Sequence, residues 1–193
     1  MKLNIPNKLT LFRIAAVPVF LVVMVAIDFK SDTLSRIICA SLYLLVCLTD
    51  TLDGYIARKY HMITNFGKFL DPLADKFIVF AALLGILVKY PELNKVFIWA
   101  AAIVMFRELA VTSMRLIVAG RSNLVIAASW LGKIKTVSQM ACILIIMLEP
   151  VIFPFFAESH VLSYVMMGIM TMMTLWSGID YFVKYGKYVT SED

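Results

Sequence analysis

The chain has 193 residues, 62% of them hydrophobic and 16% charged, with a formal net charge of +5 and a mean hydropathy of +0.88. A soluble domain of this length cannot hide so much apolar surface, so a soluble globular protein is excluded and an integral membrane protein is expected. Cys39, Cys47 and Cys142 are scattered through apolar runs; they make neither a disulfide framework nor a zinc signature and read as small core residues.

Residues 1–8 read as a short interfacial lead-in, with Lys2 and Lys8 near the headgroups. The first apolar run, 9–27, is too long for a cleavable signal peptide and lacks a small-residue cleavage site, so it is expected to stay as the first span. A short polar connection, 28–32, leads to a second span over 34–57. A polar loop at 59–65 precedes a third span over 67–88. Pro72, which lacks an amide donor, sits either in the first turn of that helix or at a kink. A turn at 89–95 contains Pro91. The fourth span covers 96–118 and is interrupted by Arg107, Glu108 and Arg115. Residues 119–130 are a loop or interfacial segment, and the fifth and sixth spans cover 132–148 and 161–182. Each run is near the roughly 20 residues that cross a bilayer. No repeat or second domain is visible. The expected fold is therefore an all-α integral membrane protein with six transmembrane helices, one domain over residues 1–193.

Basic residues set the orientation. Lys2, Lys8 and Arg13, then Arg58, Lys59 and Lys68, then Arg115, Arg121, Lys133 and Lys135, and finally Lys184 and Lys187 fall on one side if there are six spans. Both termini are then cytoplasmic, and the protein is a multi-pass component of the cytoplasmic membrane.

The densest chemistry lies at that same edge. Asp50, Asp53, Asp71 and Asp75 fall within 26 residues. On a helix, Asp50 and Asp53 sit about 60° apart, sharing a face with Gly54 and Ala57. Gly67, Asp71 and Asp75 form a stripe at spacing four. The connection between them can turn the chain back, so the two acidic faces can meet. The small residues let backbones or a ligand approach closely. Carboxylates gathered so closely repel unless cations bind. Oxygen-only ligands suit Mg²⁺ or Mn²⁺, which suit phosphate substrates, and Arg58 adds a fork shaped for phosphate. The bland alternative is a solvated acidic helix end, its carboxylates paired with Lys59, Lys68 and Lys76. The neighbouring membrane-like helices, where carboxylates are costly, favour the functional reading.

A basic set accompanies the acidic one. Arg107 and Arg115 lie on nearly the same face of the fourth span; Lys133 and Lys135 open the fifth, with Arg121 between. Arginine half-buried in a bilayer needs an anion. Glu108 or lipid headgroups could supply it; otherwise these residues form a pocket for an acceptor that itself carries phosphate. His61 reads as a surface histidine and His160 as incidental. The methionines Met166, Met167, Met170, Met172 and Met173 read as flexible packing.

The acidic stretch resembles the CDP-alcohol phosphotransferase family, whose motif D-x2-D-G-x2-A-R-x8-G-x3-D-x3-D is matched at every fixed position: Asp50, Asp53, Gly54, Ala57, Arg58, Gly67, Asp71 and Asp75. The stretches 4–13, 64–76, Arg107-Glu108 and 132–139 resemble the bacterial members that make phosphatidylglycerol phosphate; the last two helices add little beyond hydrophobicity. The resemblance implies an integral membrane enzyme with a six-helix core. It implies transfer of the phosphatidyl group from CDP-diacylglycerol to glycerol 3-phosphate, with release of CMP at the cytoplasmic face. It implies a divalent metal, Mg²⁺ or Mn²⁺ and as two ions, held by Asp50, Asp53, Asp71 and Asp75, with Asp75 also the general base. It places the CDP donor against Asn7, Thr10, Asp53, Gly54, Ala57, Arg58 and Gly67, and the acceptor phosphate against Arg107, Arg115, Arg121, Lys133 and Lys135. The partners are the two substrates and membrane lipids, without nucleic acid; a homodimer is one assembly it allows. Two alternatives stay open: another acceptor, such as inositol phosphate or serine, or a membrane cation transporter. Transporter sites usually lie near the midplane between repeats, whereas these acids lie at helix ends.

Overall fold

The computed structural model describes residues 5–27, 29, 31–59, 65–122 and 129–186, without the side chains of 5–9, 50–59, 65–69, 71, 72, 75 and 119–122. Every element is helical: α1 (Ile5–Leu21) continuing into a π-helical turn (Val22–Ala26), α2 (Asp32–Lys59), α3 (Asn65–Lys89), a 3₁₀ turn (Pro91–Leu93), α4 (Asn94–Ser122), α5 (Trp130–Ile152), a second 3₁₀ turn (Pro154–Phe156) and α6 (Val161–Tyr185). Each of the six apolar runs is thus a helix. The boundaries shift: residues 5–8, expected as lead-in, already belong to α1, and α4 continues to Ser122. Position 72 lies inside α3 rather than in its first turn. The start of the lead-in (1–4), the loop with His61 (60–64), the connection at 123–128 and the tail with Lys187 lie outside the described residues.

Among the described residues, four helical stretches are long and apolar enough to cross a membrane, Asp32–Thr49, Pro91–Val118, Trp130–Ile152 and Val161–Tyr185, and a shorter apolar stretch runs Thr10–Ala26. The expected third span is not among them. The reason is charge: Lys68, Asp71, Asp75 and Lys76 occupy the first half of α3. Its uncharged run, residues 77–88, is about 18 Å long at 1.5 Å per residue, short of a hydrocarbon core of about 30 Å. Bulky apolar residues such as Phe106, Leu116, Ile179 and Val183 are exposed, as they are where a helix face meets lipid.

The chain divides into two compact units, Met1–Pro91 with Pro150–Pro154, and Glu92–Glu149 with Phe155–Asp193. In the first, α1 packs against both α2 and α3, and α2 touches α3. The Phe20 and Tyr43 rings meet at 6.1 Å. The π-helical turn brings buried Met24 onto Gly85, where a Cβ would come within 2.6 Å of the Met24 sulfur and would force that side chain to shift. At the other end of α2, Arg36 pairs with Asp32 at 2.5 Å and lies 4.4 Å from the centre of the Tyr90 ring. Lys89 Nζ donates to Ser35 Oγ at 2.8 Å, pinning the start of α2 to the end of α3.

In the second unit α4 packs along α6. The start of α6 is held by Glu149 from α5. The residue before the helix, His160, is left-handed (φ 48°, ψ 32°) and offers no side-chain cap. Instead Glu149, 1% exposed, accepts the amides of Leu162 at 2.8 Å and Ser163 at 2.9 Å, and also the Ser163 hydroxyl. Free helix-start amides carry the positive end of the helix dipole, so a buried carboxylate is satisfied there by three donors.

Candidate functional site

The acidic part belongs to the first unit. Backbone geometry places its residues, since the four aspartate side chains lie outside the described ones. Asp50, Asp53, Gly54, Ala57 and Arg58 occupy the last turns of α2; Gly67, Asp71 and Asp75 occupy the first turns of α3. Counted from the connection at 1.5 Å per residue, Asp53 and Asp71 both lie about 9 Å along their helices, and Asp50 and Asp75 about 14 and 15 Å. The four positions are therefore matched in depth on two touching helices. Of the two α1 positions expected at the donor, Asn7 is in the helix with its side chain outside the described residues, and Thr10 is buried.

The basic part belongs to the second unit, and its side chains are described. Arg107 stands near the middle of α4, and its stem crosses α6 at Gly178, where a Cβ would sit 3.3 Å from Arg107 Cγ. Its guanidinium donates through Nη2 to Ser177 Oγ at 2.5 Å and lies 3.4 Å through Nη1 from Glu108 Oε1. The same Glu108 oxygen accepts Lys135 Nζ from α5. Arg115 donates through Nη2 to the Tyr181 hydroxyl. The Tyr181 ring lies beneath both arginines, 5.6 Å from the Arg107 guanidinium carbon and 4.9 Å from that of Arg115. The side chains of Arg107, Glu108 and Lys135 are 11%, 15% and 5% exposed. The Nε atoms of Arg107 and Arg115 are buried and have no hydrogen-bond partner among the described residues.

The start of α5 joins this cluster. Ser129 is its N-cap: the hydroxyl accepts the Gly132 amide at 3.1 Å, as a serine does at the third helical position. The Ser129 amide donates in turn to the Tyr181 hydroxyl at 3.2 Å.

The structure thus brings together Arg107, Arg115 and Lys135. It leaves Lys133 exposed, its ammonium 5.7 Å from the centre of the Trp130 ring. Arg121 lies in the last turn of α4 with its side chain outside the described residues. Glu108, weighed at first as a partner for one cation, takes two. His160 lies 4.0 Å from Glu92, away from these contacts. Sequence reasoning missed Ser177, Gly178, Tyr181 and Ser129. The available signal was the spacing of Thr174, Ser177, Gly178 and Tyr181 at three and four residues along α6, a stripe of small and hydroxyl residues of the kind that faces a neighbouring helix.

A helical protein with several stretches long and apolar enough to cross a membrane, a carboxylate motif on one helix pair and a buried basic cluster on another fits a polytopic membrane protein. The chain matches the CDP-alcohol phosphatidyltransferase family model over residues 3–176, across both compact units, and belongs to that family. It is similar to the CDP-diacylglycerol–glycerol-3-phosphate 3-phosphatidyltransferase of Bacillus subtilis (strain 168), 39% identical over 189 residues, covering 94% of each chain. It is 36% identical over 181 residues to the "Probable phosphatidylglycerophosphate synthase" of Mycobacterium tuberculosis (strain ATCC 25618 / H37Rv), covering 94% of this chain and 81% of that one. A Yersinia pestis (strain Pestoides F) protein named CDP-diacylglycerol–glycerol-3-phosphate 3-phosphatidyltransferase is 33% identical over 187 residues, covering 94% of each.

Proposed function

We propose that this chain transfers the phosphatidyl group of CDP-diacylglycerol to glycerol 3-phosphate, giving phosphatidylglycerol phosphate and CMP. The observation that carries the reading is its likeness, along nearly the whole chain, to relatives named for that reaction. The complete aspartate motif and a buried basic cluster support it. An acceptor that already bears a phosphate needs fixed cations, and Arg115 supplies a planar fork and Lys135 a point charge.

In this reading Asp50, Asp53, Asp71 and Asp75 hold Mg²⁺ or Mn²⁺, as two ions. Carboxylate oxygens alone, at matched depth on two helices, suit a hard cation. When bound, such a metal supplies charge neutralisation at the donor pyrophosphate. Arg58, beside the small residues Gly54, Ala57 and Gly67, grips the nucleotide phosphates, and Asn7 and Thr10 border them. Asp75 takes the proton from the primary hydroxyl of glycerol 3-phosphate. The freed oxygen attacks the phosphorus bearing diacylglycerol, the bond from that phosphorus to the CMP oxygen breaks, and CMP leaves. Arg107, Arg115, Arg121, Lys133 and Lys135 form the acceptor side.

The purified protein in lipid nanodiscs should release CMP from CDP-diacylglycerol when given glycerol 3-phosphate and a divalent cation, and none in the presence of a chelator. Preference for serine or inositol phosphate would reassign the acceptor. No CMP release with any acceptor, together with cation flux in vesicles, would make the chain a transporter.

The same reading has six crossings, α3 among them with its charged first half at the cytoplasmic edge, and both termini and the active site cytoplasmic, because the basic groups then share one side. Single cysteines placed at Asn65 or Ser122 should react only from the cytoplasm in intact cells; labelling from outside would sink this topology.

A further inference from the structure

We propose that Tyr181 is the positioning residue of the acceptor pocket, its phenolic oxygen holding Arg115 and anchoring the start of the helix that presents Lys135. The proposal rests on the reading of the basic cluster as the phosphate site. It goes beyond the family match, which ends at residue 176 and leaves Ser177 and Tyr181 outside.

Tyr181 is 1% exposed. A buried phenol usually finds one partner for its hydroxyl. This oxygen accepts two donors from two helices, Arg115 Nη2 of α4 and the amide of Ser129, the N-cap of α5. The ring faces the guanidinium groups of both Arg107 and Arg115. Filling space would need only phenylalanine. The hydroxyl adds direction: it turns the Arg115 fork one way, with Nε buried and without a partner among the described residues. Through Ser129 it also fixes where α5 begins, and with it the first turns that carry Lys135. A long cation held in one rotamer before binding loses less freedom when the ligand arrives.

The test is Tyr181→Phe, which keeps the ring and removes the hydroxyl. The KM for glycerol 3-phosphate should rise about tenfold, the scale of one hydrogen bond to a charged group. The KM for CDP-diacylglycerol and the melting temperature in detergent should stay near those of the parent. Added to Arg115→Ala, the same change should raise the acceptor KM by less than it does alone, since only the arm through Ser129 then remains. An unchanged acceptor KM in Tyr181→Phe, with a raised one in Arg115→Ala, overturns the positioning role and leaves the pocket standing. If neither variant alters the acceptor KM, the pocket reading itself fails. A Tyr181→Phe protein that does not accumulate, or that weakens both substrates alike, marks Tyr181 as a purely structural tyrosine and likewise overturns the proposal.

Discussion

Asp75→Asn should keep CDP-diacylglycerol binding while turnover falls by about 10²–10⁴-fold, the usual contribution of a general base. Asparagine is nearly isosteric with aspartate and retains one oxygen that can face a metal, but it cannot accept the proton of the attacking hydroxyl. Asp71→Asn removes a ligand charge without removing the base. Excess Mn²⁺ should therefore partly restore Asp71→Asn by mass action and should not restore Asp75→Asn. The measurement is turnover of both variants across a Mn²⁺ titration, with binding of the CDP-lipid followed in parallel. Full recovery of Asp75→Asn at high Mn²⁺ would reduce Asp75 to a ligand and send the search for the base elsewhere.

Arg115→Ala is expected to raise the KM for glycerol 3-phosphate about ten- to a hundredfold, because a charge-assisted bond to phosphate is worth about 1.5–3 kcal/mol. The KM for CDP-diacylglycerol should barely move. Lys135→Ala should show the same selectivity with an added loss of stability. Among the described contacts it leaves Glu108 with only Arg107, at 3.4 Å, and a buried carboxylate stripped of one partner is costly. Arg115 gives the cleaner result, since its partner is a neutral hydroxyl. Kinetics with each substrate varied in turn decide the matter: equal weakening of both would make these residues structural.

Much of this was legible beforehand because a bilayer is a severe solvent. Apolar runs in it have to be helices; all six read from the sequence are helical, and among the described residues four are long and apolar enough to cross. Arg107, Arg115 and Lys135 stood out because a cation inside such a run needs a partner. The aspartate motif stood out by spacing alone. Other features were hidden for physical reasons. The start of α5 depends on a serine cap, and serine also suits a loop, so Ser129 read as part of the connection. The third apolar run looked like an ordinary span until its charges were set against helix length. On α6, Ser177, Gly178 and Tyr181 carry no charge, and each is unremarkable in a membrane helix. Only the packing of α4 against α6 gave them arginines to hold.

Glu108 sits between Arg107 and Lys135, with Arg115 in the same cluster. Three cations and one carboxylate leave two positive charges in excess. A phosphate monoester carries about −1.5 to −2 at neutral pH, whereas the diester of an ordinary phospholipid carries a single charge. Any pocket at the edge of a bilayer is bathed in those diesters at a local concentration no soluble metabolite approaches. In the proposed reading, the cluster without Glu108 would suit headgroup diesters as well as the acceptor. With it, only a dianion brings the cluster close to electroneutrality, and a lipid diester leaves it half satisfied. In the proposed reading of this cluster as the acceptor pocket, Glu108 thus acts, without touching substrate, as a filter against the surrounding phospholipid.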